Sequence, residues 1–569
     1  MIRSICFAAA LLCLAFGVVT AQPEPVATLV PPTPVPYNTT ATSETALSES
    51  RIKRIVDTGR VRIGILYTEP PFGTFTERGE ILGLDVVLAQ SFADLWGVDL
   101  RLRQVTRQTA FELLFDNDVD LLIAAQVHRR ELDRTVDYSQ AYYVGSQSLM
   151  VRVDDSAQSP ADLASRRIGV VLGAEAENTI RAWAAETGFS GGIESYLTVD
   201  QMYGALGASA VDAIAAPRHQ LEQLALLAPD TVRILDEPVQ TEPYAVVVPR
   251  QDLPLRRLID QSLQHLQREG SLDQIRLDHF NQGTFNVVPI WANLPESPSP
   301  QAFSTDIPYP STYTIPRLQS SGVVRIAGPF LDSDALASAQ QSERRLDRFN
   351  RDFVSQLTRS WNVTVELITA NPVEAARLVA EGGADMAVGL EPDWNLAAQV
   401  DFSEPYLVHG MRLMVKSNSQ IFGFEELRGG GTVATVFSEP GAAADAVRQA
   451  ERATARIEGF QTDESSLALQ ILDDANADVA YADIFKLMPH LEAYPNDLRL
   501  TDDWYSRAYY AVALPLNDAD FRLLVDYSIQ ALVEDGTLRQ LWNGLLPSDE
   551  PIPVEIVPGP NTFLGYVID

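Results

Sequence analysis

The sequence Val136-Asp137-Tyr138-Ser139 returns 264 residues later as Val400-Asp401-Phe402-Ser403. Leu149-Met150-Val151 returns at the same offset, and Tyr244-Ala245-Val246 returns at an offset of 266. The period is much longer than the roughly 20–50 residues of a solenoid repeat. Because the register is held across most of each copy, we infer that a whole domain has been duplicated.

Each copy alternates strand-like and helix-like segments. Residues 61–66 form a short β-branched run, and residues 100–105 and 120–125 predict further strands. Apolar residues at helical spacing lie between the first two runs: Leu84, Leu88, Phe92 and Leu95. Gly97 is expected to end this helix. In the second copy the corresponding stripe, before a strand candidate at 363–368, is Phe349, Phe353, Leu357 and Trp361. This alternation predicts an α/β fold with mostly parallel strands, in which ligands bind beyond the carboxyl ends of the strands.

Composition excludes some classes of partner. The chain has 569 residues, a formal net charge of -33, 46% hydrophobic residues and 21% charged residues. A soluble multidomain protein is therefore expected. Nucleic acid and anionic membrane surfaces are poor partners for so acidic a chain, since both are bound through basic side chains.

The N-terminus has the pattern of a signal peptide. Arg3 precedes an apolar stretch at 7–19, and Val19-Thr20-Ala21 is a small-residue cleavage site. Both cysteines, Cys6 and Cys13, lie inside this segment. The mature chain is thus expected outside the cytoplasm, as a periplasmic or secreted protein with no disulfide and no thiolate chemistry.

Composition shifts also predict the domain limits. The predicted organisation is a signal peptide at 1–21, a Pro/Thr/Ser-rich linker at 22–50, a first domain at 51–283, a Pro-rich linker at 284–313, a more divergent second domain at 314–547, and a C-terminal tail at 548–569. A monomer is expected.

Several motifs in fixed order resemble one known family. They are Val61-Arg62-Ile63-Gly64, Pro70-Pro71-Phe72, Gly83-Leu84-Asp85-Val86, Val136-Asp137-Tyr138-Ser139 and Gly270-Ser271-Leu272. The chain resembles the family 3 solute-binding proteins, the amino-acid receptors of bacterial ABC importers. The resemblance implies two tandem periplasmic-binding-protein type II domains, each of two α/β lobes. The lobes would be joined by two crossing strands, near Met150 and Tyr244 and near Met414 and Tyr510, and ligand would be captured by hinge closure.

The family's ligand contacts are only partly present. Its carboxylate-binding arginine is replaced by Leu132 and Leu396, although Arg129 or Arg130 could substitute in the first copy. The family's amino-group aspartate is replaced by Pro217 in the first copy and retained as Asp483 in the second. Neither copy has the complete α-amino-acid clamp.

Candidate ligand-binding residues follow from the aligned positions. Aromatic or acidic side chains lie near the Pro-Pro-Phe motif, strand-end loops offer backbone contacts, and helix starts offer free N–H groups. In the first copy the candidates are Tyr67, Glu69, Phe72, Gln126, Val127, Arg129, Arg130, Gly173, Ala174 and Glu175, and in the second they are Glu391, Ser438, Glu439 and Asp483. Glu69 and Glu175 are either solvated surface acids or, together, indicate a preference for a cationic ligand. Asp85, Tyr142 and Tyr143 fit structural roles at a helix start and in the core or hinge.

No sequence motif indicates catalysis. Metal-binding histidine spacing, a nucleophile motif and a phosphate-binding glycine loop are all absent from the sequence. The prediction is a non-enzymatic binding protein with no metal or cofactor, which delivers a small polar solute to an ABC-type permease. Two alternatives stay open: a surface sensor or scaffold with degenerate domains, and a dehydratase-like enzyme on the same fold.

Overall fold

The strand-like and helix-like segments of the first copy fold in the order that the sequence predicts. The elements are α1 (Arg51–Thr58), β1 (Arg60–Leu66), β2 (Thr68–Glu69), β3 (Gly73–Phe75), β4 (Ile81–Leu82), α2 (Leu84–Trp96), β5 (Asp99–Val105), α3 (Ala110–Phe115), β6 (Leu121–Leu122), β7 (Val136–Arg152), β8 (Arg167–Val171), α4 (Glu175–Thr187), β9 (Gly192–Tyr196), α5 (Val199–Gly207), β10 (Ala213–Pro217), α6 (Arg218–Leu227), β11 (Val232–Ile234), β12 (Gln240–Pro249), α7 (Leu253–Arg268) and α8 (Ser271–His279). Helix α2 ends at Gly97 in a left-handed conformation, as the sequence predicts.

The second copy repeats this order with small changes. Its elements are α9 (Thr314–Ser321), β13 (Val323–Gly328), α10 (Ser333–Ser338), α11 (Gln341–Leu357), β14 (Thr364–Thr369), α12 (Pro372–Ala380), β15 (Met386–Leu390), β16 (Val400–His409), β17 (Met411–Lys416), β18 (Thr432–Phe437), α13 (Pro440–Arg452), β19 (Arg456–Gln461), α14 (Leu467–Leu472), β20 (Val479–Asp483), α15 (Ile484–Ala493), β21 (Leu498–Leu500), β22 (Ala508–Pro515), α16 (Ala519–Glu534) and α17 (Thr537–Trp542).

The computed structural model describes residues 47, 49–76, 79–280, 288–424, 432–438, 440–453, 456–472, 477–548 and 550–559. The predicted signal peptide and most of the first linker lie outside these residues, and so do Glu439 and the end of the predicted C-terminal tail. Within the described ranges, no helix combines the length and the apolar character needed to cross a membrane. The predicted domain limits stay predictions.

In the first copy one mixed sheet runs through both lobes. Its strand order is β5-β1-β6-β12-β7-β10-β8-β9, with β11 beside β7. Strand β1 is parallel to β5 and β6, and β8 is parallel to β9 and β10. The long strand β7 pairs with β12 over residues 136–147 and with β10 and β11 over residues 147–152. It therefore crosses from one lobe to the other, as the resemblance implies.

In the second copy each lobe has its own sheet. The strand orders are β14-β13-β15-β22-β16 and β19-β18-β20-β17-β21. The chain crosses between them at Gly410, whose φ is 150°. A Cβ at Gly410 would lie 2.1 Å from the carbonyl oxygen of Ser506, so only glycine fits at this crossing. The predicted α/β class, with two tandem two-lobed domains, is confirmed.

The two copies dock on each other through equivalent residues. Arg256 on α7 lies 2.6 Å from Asp401 on β16, and the equivalent Arg522 on α16 lies 3.5 Å from Asp137 on β7. The first pair is buried, and in the second Asp137 is buried while the side chain of Arg522 is 14% exposed. Reciprocal contacts of this kind are the mark of a two-fold interface, here formed within one chain.

Polar side chains around these ion pairs repeat the same reciprocity. The indole nitrogen of Trp394 donates to Gln264 at 2.9 Å, and the guanidinium of Arg130 donates to Gln530 at 2.6 Å. The offset between Gln264 and Gln530 is the same 266 residues that separates the hinge motifs. The two copies therefore dock in a specific arrangement and are not independent domains joined only by a linker.

Candidate ligand-binding clefts

The floor of the first cleft is a cluster of aromatic rings at the hinge. Phe72, from the loop between β2 and β3, stacks on Tyr244 of β12 with centroids 4.6 Å apart. Tyr143 of β7 stacks on Phe280 at 4.1 Å, and both rings meet Phe72 edge-on. All four side chains are buried. Tyr67 stays on the first lobe, edge-on to a neighbouring ring 4.8 Å away.

A histidine from the second lobe reaches this cluster. His219, near the start of α6, lies 5.6 Å from the ring of Phe72 and 6.1 Å from that of Phe280. Its Nε2 has no hydrogen-bond partner among the described residues. Burial lowers the pKa of His219 to about 4, so the imidazole is neutral near pH 7. The two lobes of the first copy are thus in apolar contact across the hinge.

An ion pair spans the mouth of the first cleft. Arg129 follows β6 in the first lobe, and its Nη2 lies 2.6 Å from Oε1 of Glu175, the first residue of α4 in the second lobe. Burial lowers the pKa of Arg129, but Glu175, Glu131 and Glu242 more than offset this and raise it. The carboxylate of Glu175 therefore pairs with one of the two arginines that were predicted as possible substitutes for the family's carboxylate-binding arginine.

A second carboxyl group lies near this ion pair. Glu242 on β12 is 1% exposed and accepts a hydrogen bond from Nε2 of Gln147 at 2.9 Å. Burial raises the pKa of Glu242, and the charge of Glu175 adds to the rise, whereas Gln147 and Arg129 act to lower it. The first cleft thus combines one arginine, two carboxyl groups and an aromatic floor.

Other predicted residues of the first copy lie away from this group or are already bonded. Glu69 pairs with Arg107 at 2.8 Å on the first lobe. Gln126 donates to the carbonyl of Ala124, and Val127 pairs with Tyr244 in a β-bridge. Gly173 donates its N–H to Glu177. Ala174 is the residue before α4, and its side chain makes no cap. Arg130 does not reach the cleft, because its guanidinium bonds Gln530 of the second copy.

Asp85 has the structural role that its position suggests, through different contacts. It lies in the first turn of α2, but its carboxylate accepts from the N–H of Ala125 at 2.7 Å and from the hydroxyl of Tyr142 at 2.8 Å. Burial raises the pKa of Asp85 to about 7. The group ties α2 to the hinge strand β7 and is fully covered.

The second cleft is bridged by a histidine. His409 ends strand β16 at the crossing between lobes, and its Nδ1 lies 2.9 Å from Oδ2 of Asp483 in the second lobe. Its Nε2 lies 3.2 Å from Glu391, which follows β15 in the first lobe. Burial lowers the pKa of His409, but the two carboxylates outweigh it and raise the pKa to about 9. An imidazolium therefore lies against Asp483, the residue predicted from the aligned positions to contact a ligand's amino group.

Rings enclose this histidine. The centroid of Tyr510 lies 4.6 Å from that of His409, and the centroid of Phe485 lies 5.4 Å away. Asp483 also caps helix α15 by accepting from the N–H of Phe485 at 2.9 Å. The hydroxyl of Ser438 is buried and has no partner among the described residues, and Glu439 lies outside them.

Sequence reasoning missed Glu242, His219, Phe280 and His409. A signal for His409 was available, because the offset of 264 residues aligns it with Gly145 of the first copy. At Gly145 a Cβ would lie 3.0 Å from the rings of Tyr143 and Tyr244. The first copy thus has a glycine where the second copy has a histidine at the equivalent hinge position. This replacement indicates that different groups fill the two clefts.

Comparison with known proteins identifies the family. The model of the bacterial extracellular solute-binding proteins, family 3, matches residues 61–282 and 337–544. The chain belongs to this family. The chain thus contains two copies of the family 3 solute-binding domain, and the resemblance inferred from the motifs is confirmed.

The relatives named below each match less than half of this chain. A glutamine-binding protein of Geobacillus stearothermophilus is 26% identical over 36% of this chain and 78% of its own length. A membrane-bound lytic murein transglycosylase F of an Enterobacter strain is 37% identical, but over only 19% of this chain and 20% of its own. A solved structure, an ancestral cationic amino acid solute binding protein, is 22% identical over 41% of this chain and 100% of its own, with a TM-score of 0.36. The family 3 protein thus matches a binding protein over most of that relative's length and an enzyme over a short part only.

Proposed function

We propose that this family 3 protein is an extracytoplasmic receptor that captures a small amino-acid-like solute in its first cleft and delivers it to an ABC-type permease. The observation that carries the proposal is the ion pair between Arg129 and Glu175, which joins the two lobes near the buried Glu242. This pair already reproduces the contact between an arginine and a ligand's carboxylate.

Solute binding would replace one half of that ion pair. The carboxylate of the solute takes the guanidinium of Arg129, whose fork suits a bidentate contact. Glu175, released from Arg129, and Glu242 then face the solute's cationic end. The exchange conserves charge in a partly buried site, so its cost in desolvation is small compared with placing a new charge there.

The aromatic floor would set the size of the solute. Phe72 and Tyr244 present stacked rings at the hinge, and such rings cover an aliphatic side chain. Hinge closure then excludes water and strengthens each polar contact. A short polar amino acid, zwitterionic or cationic, fits this combination. The same proposal includes removal of residues 1–21 as a signal peptide, a location outside the cytoplasm and a monomeric state.

A sensor or scaffold is the second candidate, and the second cleft favours it. His409 already bridges Glu391 and Asp483, so the position for a ligand's amino group is filled by the chain itself. In this alternative the second copy is held closed without solute, and only the first copy responds to it.

The test is thermal unfolding of the full chain with glutamine, arginine, glutamate and cystine, each alone. A solute at about 100 times its dissociation constant stabilises the folded state by roughly 2.7 kcal/mol. We expect one or more to raise the Tm of the native chain, and Arg129→Gln to abolish the rise.

The matched control is Arg167→Gln, which removes an exposed arginine paired with Asp212 on the second lobe. This variant should keep the full response. If no solute raises the Tm, or if Arg129→Gln responds like the native chain, capture in the first cleft is wrong.

A further inference from the structure

A large cavity lies between the two docked copies, away from the Arg129–Glu175 pair of the first cleft and bordered by Glu391 of the second. Its volume is about 710 Å³. Segments 289–292 and 550–555 line it together with strands β7 and β16 and helices α7 and α16. This volume falls within the range of small-molecule sites, which are concave, largely apolar and provided with a few polar groups.

Most charges on the cavity wall are matched. Asp401 faces Arg256 at 2.6 Å, and Asp526 faces Arg522 at 3.3 Å. Buried charges are normally paired in this way, since an isolated one is costly. The matched pairs belong to the docking interface and leave no charge for a ligand.

Three carboxyl groups on the wall have no ion pair among the described residues: Asp260, which accepts a hydrogen bond from the N–H of Gln140 at 2.8 Å, and the two groups of Glu404 and Glu555. Among the described residues, no Lys, Arg or His nitrogen lies within ion-pair distance of Glu404 or Glu555. Glu404 accepts from Nε2 of Gln530 at 2.9 Å through Oε1, whereas its Oε2 is buried with no hydrogen-bond partner in the described part of the chain. Glu555 is near enough to Glu404 for its charge to raise the pKa of that group.

A tyrosine hydroxyl points to the same region. Tyr138 is 5% exposed and lines the cavity, and its hydroxyl has no well-formed hydrogen bond among the described residues, although the backbone N–H of Arg129 is near enough to act on its pKa. Its ring stacks at 4.0 Å on His128, whose charge acts on Glu555. A buried hydroxyl, a buried carboxylate oxygen and a carboxyl group without an ion pair thus share one cavity.

We propose that this cavity binds a small organic cation, held by the carboxylates of Glu404 and Glu555 and by the hydroxyl oxygen of Tyr138. The ligand class is an aliphatic ammonium or diammonium compound, because it supplies N–H donors to all three acceptors. The aromatic wall, which includes Trp291 and Tyr527, covers its methylene groups and faces its charge. The site exists only when both copies are docked and residues 550–555 are in place.

An organic cation fits these groups better than a metal ion. Among the described residues, no group of three or more His, Asp or Glu side chains has the geometry of a metal site. Burial raises the pKa of Glu404 well above its usual range and that of Glu555 to about 7. Without a ligand Glu404 is therefore protonated near neutral pH and Glu555 is protonated in part, and a bound cation would displace these protons.

The test is isothermal titration of the full chain with 1,4-diaminobutane at neutral pH, in two buffers that differ in ionisation enthalpy. We expect binding with proton release, and none for 1,4-butanediol, which has the same shape without charge. Glu404→Gln and Glu555→Gln should each weaken binding at least tenfold, and Tyr138→Phe should weaken it severalfold.

Glu175→Gln is the control, since it changes the first cleft and leaves the cavity wall intact. Unchanged diamine binding in Glu175→Gln separates this site from solute capture, so either proposal can fail alone. The inference is overturned if the native chain does not bind the diamine. It is equally overturned if all three wall variants bind as the native chain does, or if Glu175→Gln alone removes binding.

Discussion

The two copies contact each other through equivalent residues but close their clefts with different ones. At the interface Arg256 and Arg522 reach Asp401 and Asp137, a reciprocal exchange. In the clefts an arginine–glutamate pair bridges the lobes of the first copy, whereas His409 bridges two carboxylates in the second.

This difference shows where the duplicated sequence is constrained. At a two-fold interface equivalent residues of both copies contact each other, so the loss of a charged residue in one copy leaves its buried partner in the other copy without an opposite charge. Each cleft lies within a single copy, so its polar groups can differ from those of the other cleft without leaving a charge unpaired there. The first cleft carries a bridge between an arginine and a glutamate, whereas the second carries a bridge through a histidine, which titrates.

The largest expected effect is at the interface. Asp401→Ala leaves Arg256 and Arg257, which lie 2.6 and 4.0 Å from Asp401, without their carboxylate. Breaking a buried pair by removing one partner costs about 3–5 kcal/mol. We expect that loss in the free energy of unfolding, measured by urea denaturation of the full chain.

Asp137→Ala is the matched change in the first copy and should cost less, about 1–3 kcal/mol. Its partner Arg522 keeps Asp526 at 3.3 Å and Asp401 at 3.9 Å. Equal and small losses for both variants would contradict the view that reciprocal ion pairs hold the copies together.

The next effect distinguishes the clefts by pH. The pKa of His409 is raised from 6.5 to about 9 in the folded state, so its contribution to stability is complete below pH 6.5 and is lost as the pH rises through 9. The difference in unfolding free energy between the native chain and His409→Gln should fall by about 3 kcal/mol over that interval.

His219 gives the opposite slope. Its pKa is lowered from 6.5 to about 4, so the unfolded chain takes up a proton first and stability falls as the pH drops from 6.5 to 4. His219→Gln should remove that loss. Urea denaturation of the native chain and both variants from pH 4 to pH 9 tests the two predictions. If the unfolding free energies of the two variants depend on pH in the same way, the clefts do not differ as described.

The smallest effect concerns the ion pair of the first cleft. Glu175 is 37% exposed at its side chain, so solvent screens its pairing with Arg129. Glu175→Gln should change the free energy of unfolding by less than about 1 kcal/mol. Glu186→Gln removes an exposed glutamate near the other end of the same helix and serves as the reference. A loss of several kcal/mol in Glu175→Gln alone would mean that the ion pair is structural rather than exchangeable with a solute.

Much of the fold could be read from local sequence. The apolar stripe from Leu84 and the glycine at 97 predict α2 because helix period and a left-handed end are local properties. The run at 120–125 is shorter in the structure, where only Leu121–Leu122 pair as a strand. Pairing partners, rather than propensity, set that extent.

The candidate site was predicted only in part. Arg129 and Glu175 were named separately from aligned positions, and their contact across the cleft depends on how two lobes close. His409 and Glu242 were missed, since each matters through a partner far along the chain. Asp483 is 74 residues from His409, and Gln147 is 95 residues from Glu242.

By itself, the sequence determined the duplication, the α/β class and the family, because repeated motifs and hydrophobic periods are written along the chain. The tertiary structure alone decided which charges meet. It gave Arg130 to the second copy rather than to the cleft, placed His409 between two carboxylates, and left Glu404 and Glu555 facing a shared cavity. Electrostatic energy depends on distance and burial in space, and neither quantity follows from separation along the chain.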